Sequence, residues 1–213
     1  MKITGLKPQR RNSRRVSVYL DGAYNFSLDA KTVSELGLCV GMEVAPGDLD
    51  RISYEERLRR AKEYALLLLS YRARSSYEIH SRLKRKKFEP EVIDAALGRL
   101  LELRLVDDRQ FAKDYARDRV QLGKRGKRLV HLELIRLGVP KEDIEPALEQ
   151  APSEVESARG LVKKLRVRYA KLEPAVRKRR IVAALGRRGY SYDTIRDALD
   201  QVGADDDEGG DEA

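Results

Sequence analysis

A chain of 213 residues with 41% apolar content, no tryptophan and 3 phenylalanines can fill several small leucine-rich cores but not one large aromatic-rich core. Its 37% charged residues exceed the roughly 25% of an average globular protein, and the net charge of +9 rises to +15 once the six acids of the last ten residues, "ADDDEGGDEA", are set aside. Such a field points to a polyanionic partner or an acidic protein surface. The single cysteine excludes an internal disulfide, and neither a signal peptide nor a bilayer-length apolar run is present, so a soluble cytoplasmic protein with no membrane partner is expected.

In chain order, "RVSVYLDGAYNFSLD" alternates Val16, Val18 and Leu20 with Tyr24, Phe26 and Leu28 around Asp21-Gly22. That dipeptide suits the positive φ angles of a two-residue turn, which predicts a β-hairpin. "AKTVSELG" reads as a short helix closed by Gly37, "GMEVAPG" is a candidate further strand, and Pro46-Gly47 marks the end of a β-rich N-terminal domain over 1–52. From about Tyr54 onward apolar residues recur at intervals of three and four, the spacing of short packed helices.

Three segments there align without a gap: "IHSRLKRKKFEPEVIDAAL" from Ile79, "VHLELIRLGVPKEDIEPAL" from Val130 and "IVAALGRRGYSYDTIRDAL" from Ile181, each 51 residues after the last. Leu83, Leu134 and Leu185 coincide, as do Phe88, Val139 and Tyr190, and then Ile93, Ile144 and Ile195. "AKEYA" at Ala61 returns 51 residues later as "AKDYA" at Ala112, whereas the first helix of the third unit, around Ala158 to Leu165, needs a small shift. Each unit reads as three helices, over 56–107, 108–151 and 152–203, followed by a disordered acidic tail over 204–213. The fold class expected is mainly α: three tandem helix-turn-helix-like repeats in an elongated, curved array, with a small β-rich domain before them.

The cations are clustered. "RLKRKKF" holds Arg82, Lys84, Arg85, Lys86 and Lys87. "GKRGKR" holds Lys124, Arg125, Lys127 and Arg128, with Gly123 and Gly126 letting backbone amides approach an anion. Arg136 follows, then Arg177, Lys178, Arg179 and Arg180 in "VRKRR" and Arg187 and Arg188 in "GRRG". Arg85, Arg136 and Arg187 lie in strict repeat register, which predicts a basic track contacting phosphates without sequence readout. The competing explanation is cations near helix C-termini that complement the helix dipole. The middle helices offer almost no amide side chains for base reading, which disfavours a sequence-specific factor.

No phosphate loop, dinucleotide fingerprint or nucleophile triad can be assembled. His80 and His131 share a repeat position and lack metal-ligand spacing to any cysteine or acid, so a structural placement, no metal and no cofactor are expected. Tyr24 and Tyr192 are possible stacking residues, with packing the commoner use. The one acid pair to weigh as a nuclease-like site is Asp107-Asp108 in "LVDDRQFAKDYARDR". Asp114 would not share a face with Asp108, and the pair directly precedes Phe111, so a helix start is the better reading.

"YALLLLSYRARSSYEIHSRLKRKKF", "LVDDRQFAKDYARDR", "GKRGKRLVHLELIRLGV" and "RRGYSYDTIRDAL" together resemble the ordered signatures of RecX, the regulator of the RecA recombinase, over roughly residues 56 to 200. The resemblance implies three tandem three-helix modules and a non-enzymatic role. It further implies binding of RecA and the groove of the RecA–DNA filament, with inhibition of ATP hydrolysis and strand exchange or promotion of filament disassembly, and contact with single- or double-stranded DNA. A monomer is expected. The alternative class is a general DNA-binding or architectural protein acting without RecA; a metal-dependent nuclease stands third. One departure is Lys87 where the later modules carry Gly138 and Gly189, which predicts a different turn there.

Overall fold

The computed structural model describes residues 1–10 and 12–208, with side chains described up to Gly203. Two compact units emerge: Met1–Arg72 with Ile79–Leu105, and Ala73–Glu78 with Val106–Ala213.

In the first unit, β1 (Ile3–Gln9), β2 (Asn12–Leu20) and β3 (Ala23–Asp29) form an antiparallel sheet in that order. The predicted hairpin joins β2 to β3, with Asp21 and Gly22 at φ 46° and 89°, both in the left-handed region that such a turn requires. Strand β1 was not foreseen. Gly5 and Pro8 interrupt its alternation, and both are tolerated because it is an edge strand. Asp29 caps α1 (Ala30–Glu35) by accepting the Lys31 amide, and Gly37 closes it at φ 59°. "GMEVAPG" adds no strand beyond a single bridge between Lys2 and Glu43.

At Pro46-Gly47, where the β-rich domain is expected to end, α2 (Pro46–Tyr71), a 26-residue helix, begins. Pro46 stands in its first turn, where the missing amide costs no hydrogen bond. Leu49 joins Ile3, Val18, Leu20 and Leu28 in the core of the β-rich domain, and Ala61, Ala65 and Leu68 of the same helix are buried farther along. One helix thus serves both the N-terminal domain and the first helical module, whose other members are α3 (Ser76–Arg85) and α4 (Pro90–Glu102).

The second module is α5 (Asp108–Gln121), α6 (Lys127–Arg136) and α7 (Lys141–Gln150); the third is α8 (Val155–Arg168), α9 (Pro174–Arg187) and α10 (Tyr192–Glu208). The register holds to the residue: α3 and α6 start 51 apart, α3, α6 and α9 end 51 apart, and α4, α7 and α10 start 51 apart. The apolar positions that betrayed the repeat are the cores themselves. Phe111, Ala112, Val130, Leu134 and Ile144 pack in the second module, and Ala158, Ile181, Leu185, Tyr190 and Ile195 in the third. Each buried leucine or isoleucine in these cores contributes about 2 kcal/mol of transfer free energy. Helix α10 continues to Glu208, five residues into the tail expected to be disordered, with Val202 buried just before that stretch. The remainder of the tail lies outside the described residues.

Candidate functional site

The loop after each middle helix is the most informative place in the repeat. Lys87, Gly138 and Gly189 occupy one register position and all adopt the left-handed conformation, at φ 62°, 72° and 83°. The turn at Lys87 is therefore the same turn, which corrects the expectation from its side chain. What differs is its surroundings. A Cβ at Gly138 would collide with the base of the Tyr77 ring, and one at Gly189 with the backbone of Leu129.

These collisions mark a docking rule within the second unit. The Ser75 hydroxyl, ahead of α3, donates to the carbonyl of Leu137, and 51 residues later the Gly126 amide, ahead of α6, donates to the carbonyl of Arg188 at 2.8 Å. The entries to α3 and α6 are thus each seated on the left-handed turn of the next module. A carboxylate closes each seam. Asp108 accepts from the amide (2.7 Å) and hydroxyl of Ser76, and Glu154 accepts from the Lys127 amide and, at 2.8 Å, from the Thr194 hydroxyl. Lys87 lies in the first module, with no helical module before it in the chain, which is why a side chain is tolerated there.

The Asp107-Asp108 pair is thereby explained. Asp107 caps its own helix by accepting the Gln110 amide at 2.8 Å, and Asp108 reaches across to α3. Among the described residues no three His, Cys, Asp or Glu side chains converge as a metal site. Asp143 has its carboxyl raised above the ordinary value, first by burial and then by Glu142, with Asp108 and Asp107 adding to the effect and Arg109 opposing it. His131 meets Glu145 at 3.1 Å.

The "GKRGKR" loop is not an amide cradle. Four of its amides, including those of both glycines, are already donated: Gly123 to Asp118, Arg125 to Arg119, Gly126 to Arg188 and Lys127 to Glu154. Of its cations, Arg125 pairs with Glu133, which also accepts from the Tyr115 hydroxyl at 3.1 Å, and Lys127 Nζ donates to the Ala151 carbonyl at 3.2 Å. Lys124 and Arg128 remain exposed.

Arg85, Arg136 and Arg187 are the last residues of α3, α6 and α9, all exposed and without a salt bridge among the described residues. Arg136 and Arg187 share one compact unit, and Arg85 belongs to the other. Lys84, Lys86 and Lys87 are exposed beside half-buried Arg82, with the Lys86 ammonium 5.3 Å from the Tyr64 ring centre. Lys178, Arg179, Arg180 and Arg188 are exposed and Arg177 half-buried; Arg180 lies 5.9 Å over the Tyr169 ring. Tyr190 is buried and donates its hydroxyl to the Lys124 carbonyl at 2.9 Å; burial, then Glu154, pushes its pKa up to about 12.

Sequence reasoning missed a further polar cluster. Glu56 is buried on α2, where the Arg15 guanidinium (3.2 Å) and Arg59 (2.9 Å) meet its two oxygens. The available signal was a glutamate on the stripe of Leu49 and Ile52, at helical spacing where an apolar residue is expected.

These features define a tandem three-helix-repeat protein with a small β-rich N-terminal domain. Family profiles match in order along the chain: the regulatory protein RecX N-terminal domain over 1–45, and the RecX first, second and third three-helix domains over 61–100, 107–148 and 153–199. The chain is 31% identical over 208 residues to the regulatory protein RecX of Bacillus subtilis, covering 97% of this chain and 79% of that one. It is 28% identical over 198 residues to that of Listeria innocua, covering 92% and 74%. A crystal structure of regulatory protein RecX superimposes with a TM-score of 0.67 at 26% identity, over 92% of this chain and 98% of the other. RecX from Lactobacillus salivarius gives 0.66 at 24% identity, over 70% and 99%. The chain belongs to the RecX family of regulatory proteins.

Proposed function

We propose that this protein binds RecA and the RecA–DNA filament as a cytoplasmic monomer and restrains ATP hydrolysis and strand exchange, without chemistry of its own. The observation that carries the reading is the ordered match to all four RecX segments along one chain. The cations support it: those at the ends of α3, α6 and α9 reach solvent without a salt bridge among the described residues and suit the phosphates of a filament's DNA or an acidic protein face. The test is titration into RecA, single-stranded DNA and ATP. Hydrolysis should fall and filament lifetime change at stoichiometric amounts; no change in either refutes the reading.

The second reading, a DNA-binding protein acting without RecA, is favoured by the same unpaired arginines. Charge reversal at Arg85, Arg136 and Arg187 together should flatten the salt dependence of DNA binding, by about one unit of slope for each phosphate contact removed. An unaltered slope removes those three residues from the DNA interface. Binding to DNA that persists while RecA hydrolysis is untouched selects this second reading.

A further inference from the structure

The β-rich domain and the start of the long helix enclose a feature that the reading above does not use. A cavity of about 410 Å³ opens between β3 and α2, lined on the strand side by Tyr24, Asn25, Phe26 and Ser27 and on the helix side by Ser53, Arg57 and Arg60. Three guanidiniums, those of Arg15, Arg57 and Arg60, border it against the one carboxylate of Glu56. That carboxylate is already engaged by Arg15 and Arg59, and Arg15 also donates to the Ser27 carbonyl at 2.8 Å.

Of the other two guanidiniums, that of Arg60 has capacity left. Arg60 makes no salt bridge among the described residues and lies at the cavity mouth, 6.0 Å over the Phe88 ring. Burial, with Arg15 next, holds it below the ordinary arginine value, as befits a cation set among cations. Arg57 donates to the Ser53 hydroxyl at 2.9 Å, but its Nε is buried without a hydrogen-bond partner, 3.7 Å from a Glu89 oxygen. An anion at this place would meet Arg60 and the hydroxyl of Ser53.

Opposite the cations stands an oriented aromatic. Tyr24 is 59% exposed yet held in place: its ring meets Tyr19 edge-on at 6.0 Å and its hydroxyl shares a hydrogen bond with Ser27 at 3.1 Å. The amide side chain of Asn25 is exposed beside it, with no hydrogen bond among the described residues. Cations against a free aromatic face and an unpaired amide are the parts that hold a phosphate and an unstacked base together. The hollow beside α6, about 490 Å³, has no such arrangement, since Glu145 and Glu149 offset its Lys127 and Arg128.

We propose that this cavity binds a nucleotide, its phosphate at Arg60 and the Ser53 hydroxyl and its base against Tyr24. The nucleotide is either free or one residue of a single strand. The site involves no RecA, so its failure leaves the reading of the repeats untouched.

The test is titration of the full-length, isotope-labelled protein with thymidine monophosphate, with oligothymidylate and with inorganic phosphate, followed by amide chemical shifts. The shifts should concentrate in Tyr24–Ser27 and Ser53–Arg60. Arg60→Ala should weaken binding at least tenfold and Tyr24→Ala several-fold, with Arg60→Lys recovering part of the loss. Both truncations remove exposed side chains, and unchanged circular dichroism confirms the fold. Oligothymidylate binding at least tenfold tighter than the monophosphate identifies a strand residue as the occupant, and equal binding a free nucleotide; both support the pocket. Inorganic phosphate or an oligoglutamate peptide binding as tightly as the monophosphate overturns it, as do shifts confined to the helical modules.

Discussion

Alanine placed in turn at Lys87, Gly138 and Gly189 should have three different consequences, although the three positions share one register and one backbone conformation. At Gly138 and Gly189 the left-handed conformation alone costs a non-glycine residue about 1 kcal/mol. The new Cβ must also part the seam. At Gly138 that loosens the bonds of Ser75 to Leu137 and of Ser76 to Asp108; at Gly189 it loosens those of Gly126 to Arg188 and of Tyr190 to Lys124. With a net value of about 1 kcal/mol for each hydrogen bond, the total for either substitution comes to about 3 kcal/mol. At Lys87 no seam exists and the strain is already present, so Lys87→Ala should fall within about 0.5 kcal/mol of the parent. Lys87→Gly should stabilise by up to about 1 kcal/mol. Urea unfolding followed by circular dichroism reads all four, with an unchanged slope indicating that only stability has moved. Equal effects at the three positions, or losses of no more than about 1 kcal/mol at the glycines, would refute docking through these turns.

Three further outcomes follow from the seam and cap contacts. Glu154→Ala should cost about 2–3 kcal/mol, because it strands the Lys127 amide and the Thr194 hydroxyl; thermal unfolding checks this, and Glu154→Gln should recover part of the loss. Tyr190 titrates near 12 in the fold against an ordinary 10, so its raised value gives stability that is intact below pH 10 and lost as pH rises toward 12. The loss approaches about 2 kcal/mol, and Tyr190→Phe, weaker at neutral pH, should show a shallower alkaline decline in its urea midpoint. Asp107→Ala removes a helix cap and should cost about 1 kcal/mol with no change in DNA-cleavage background in the presence of magnesium; acquired or lost metal-dependent cleavage would contradict its structural role.

The helical half of the fold was legible because the residues that repeat at 51 are those that fill the cores, from Leu83, Leu134 and Leu185 to Ile93, Ile144 and Ile195. Packing constrains such positions in every copy, so periodicity survives. Strand β1 was hidden because an edge strand tolerates the glycine and proline that mask its alternation. At Pro46-Gly47 the start of α2 was hidden because proline suits a first helical turn as well as it suits a loop. The "GKRGKR" loop misled for a different reason. Its glycines are needed, but the carbonyl that Gly126 serves belongs to Arg188, and nothing local in the sequence announces so distant a partner.

That same seam restricts how a polyanion can be held. Helix N-termini are the usual place for an anion, since free amides and the positive end of the dipole meet there. Here each middle helix has a carboxylate at that end: Asp108 at α3, Glu154 at α6 and, on α9, its own Glu173, which accepts the Val176 amide at 3.2 Å. A carboxylate at each of the three opposes backbone capture of a phosphate there. The opposite ends carry Arg85, Arg136 and Arg187, where each guanidinium complements the negative end of its helix before it meets any ligand. A phosphate bound there is held by flexible side chains alone, in competition with the helix dipole and with salt. Such contacts add affinity in small, independent steps and carry no sequence information. Among the described residues the repeat thus uses the hydrogen-bonded ends of its middle helices for its own caps and seams, and the exposed cations at the opposite ends would suit the proposed partner as a polyanionic surface that is followed rather than read.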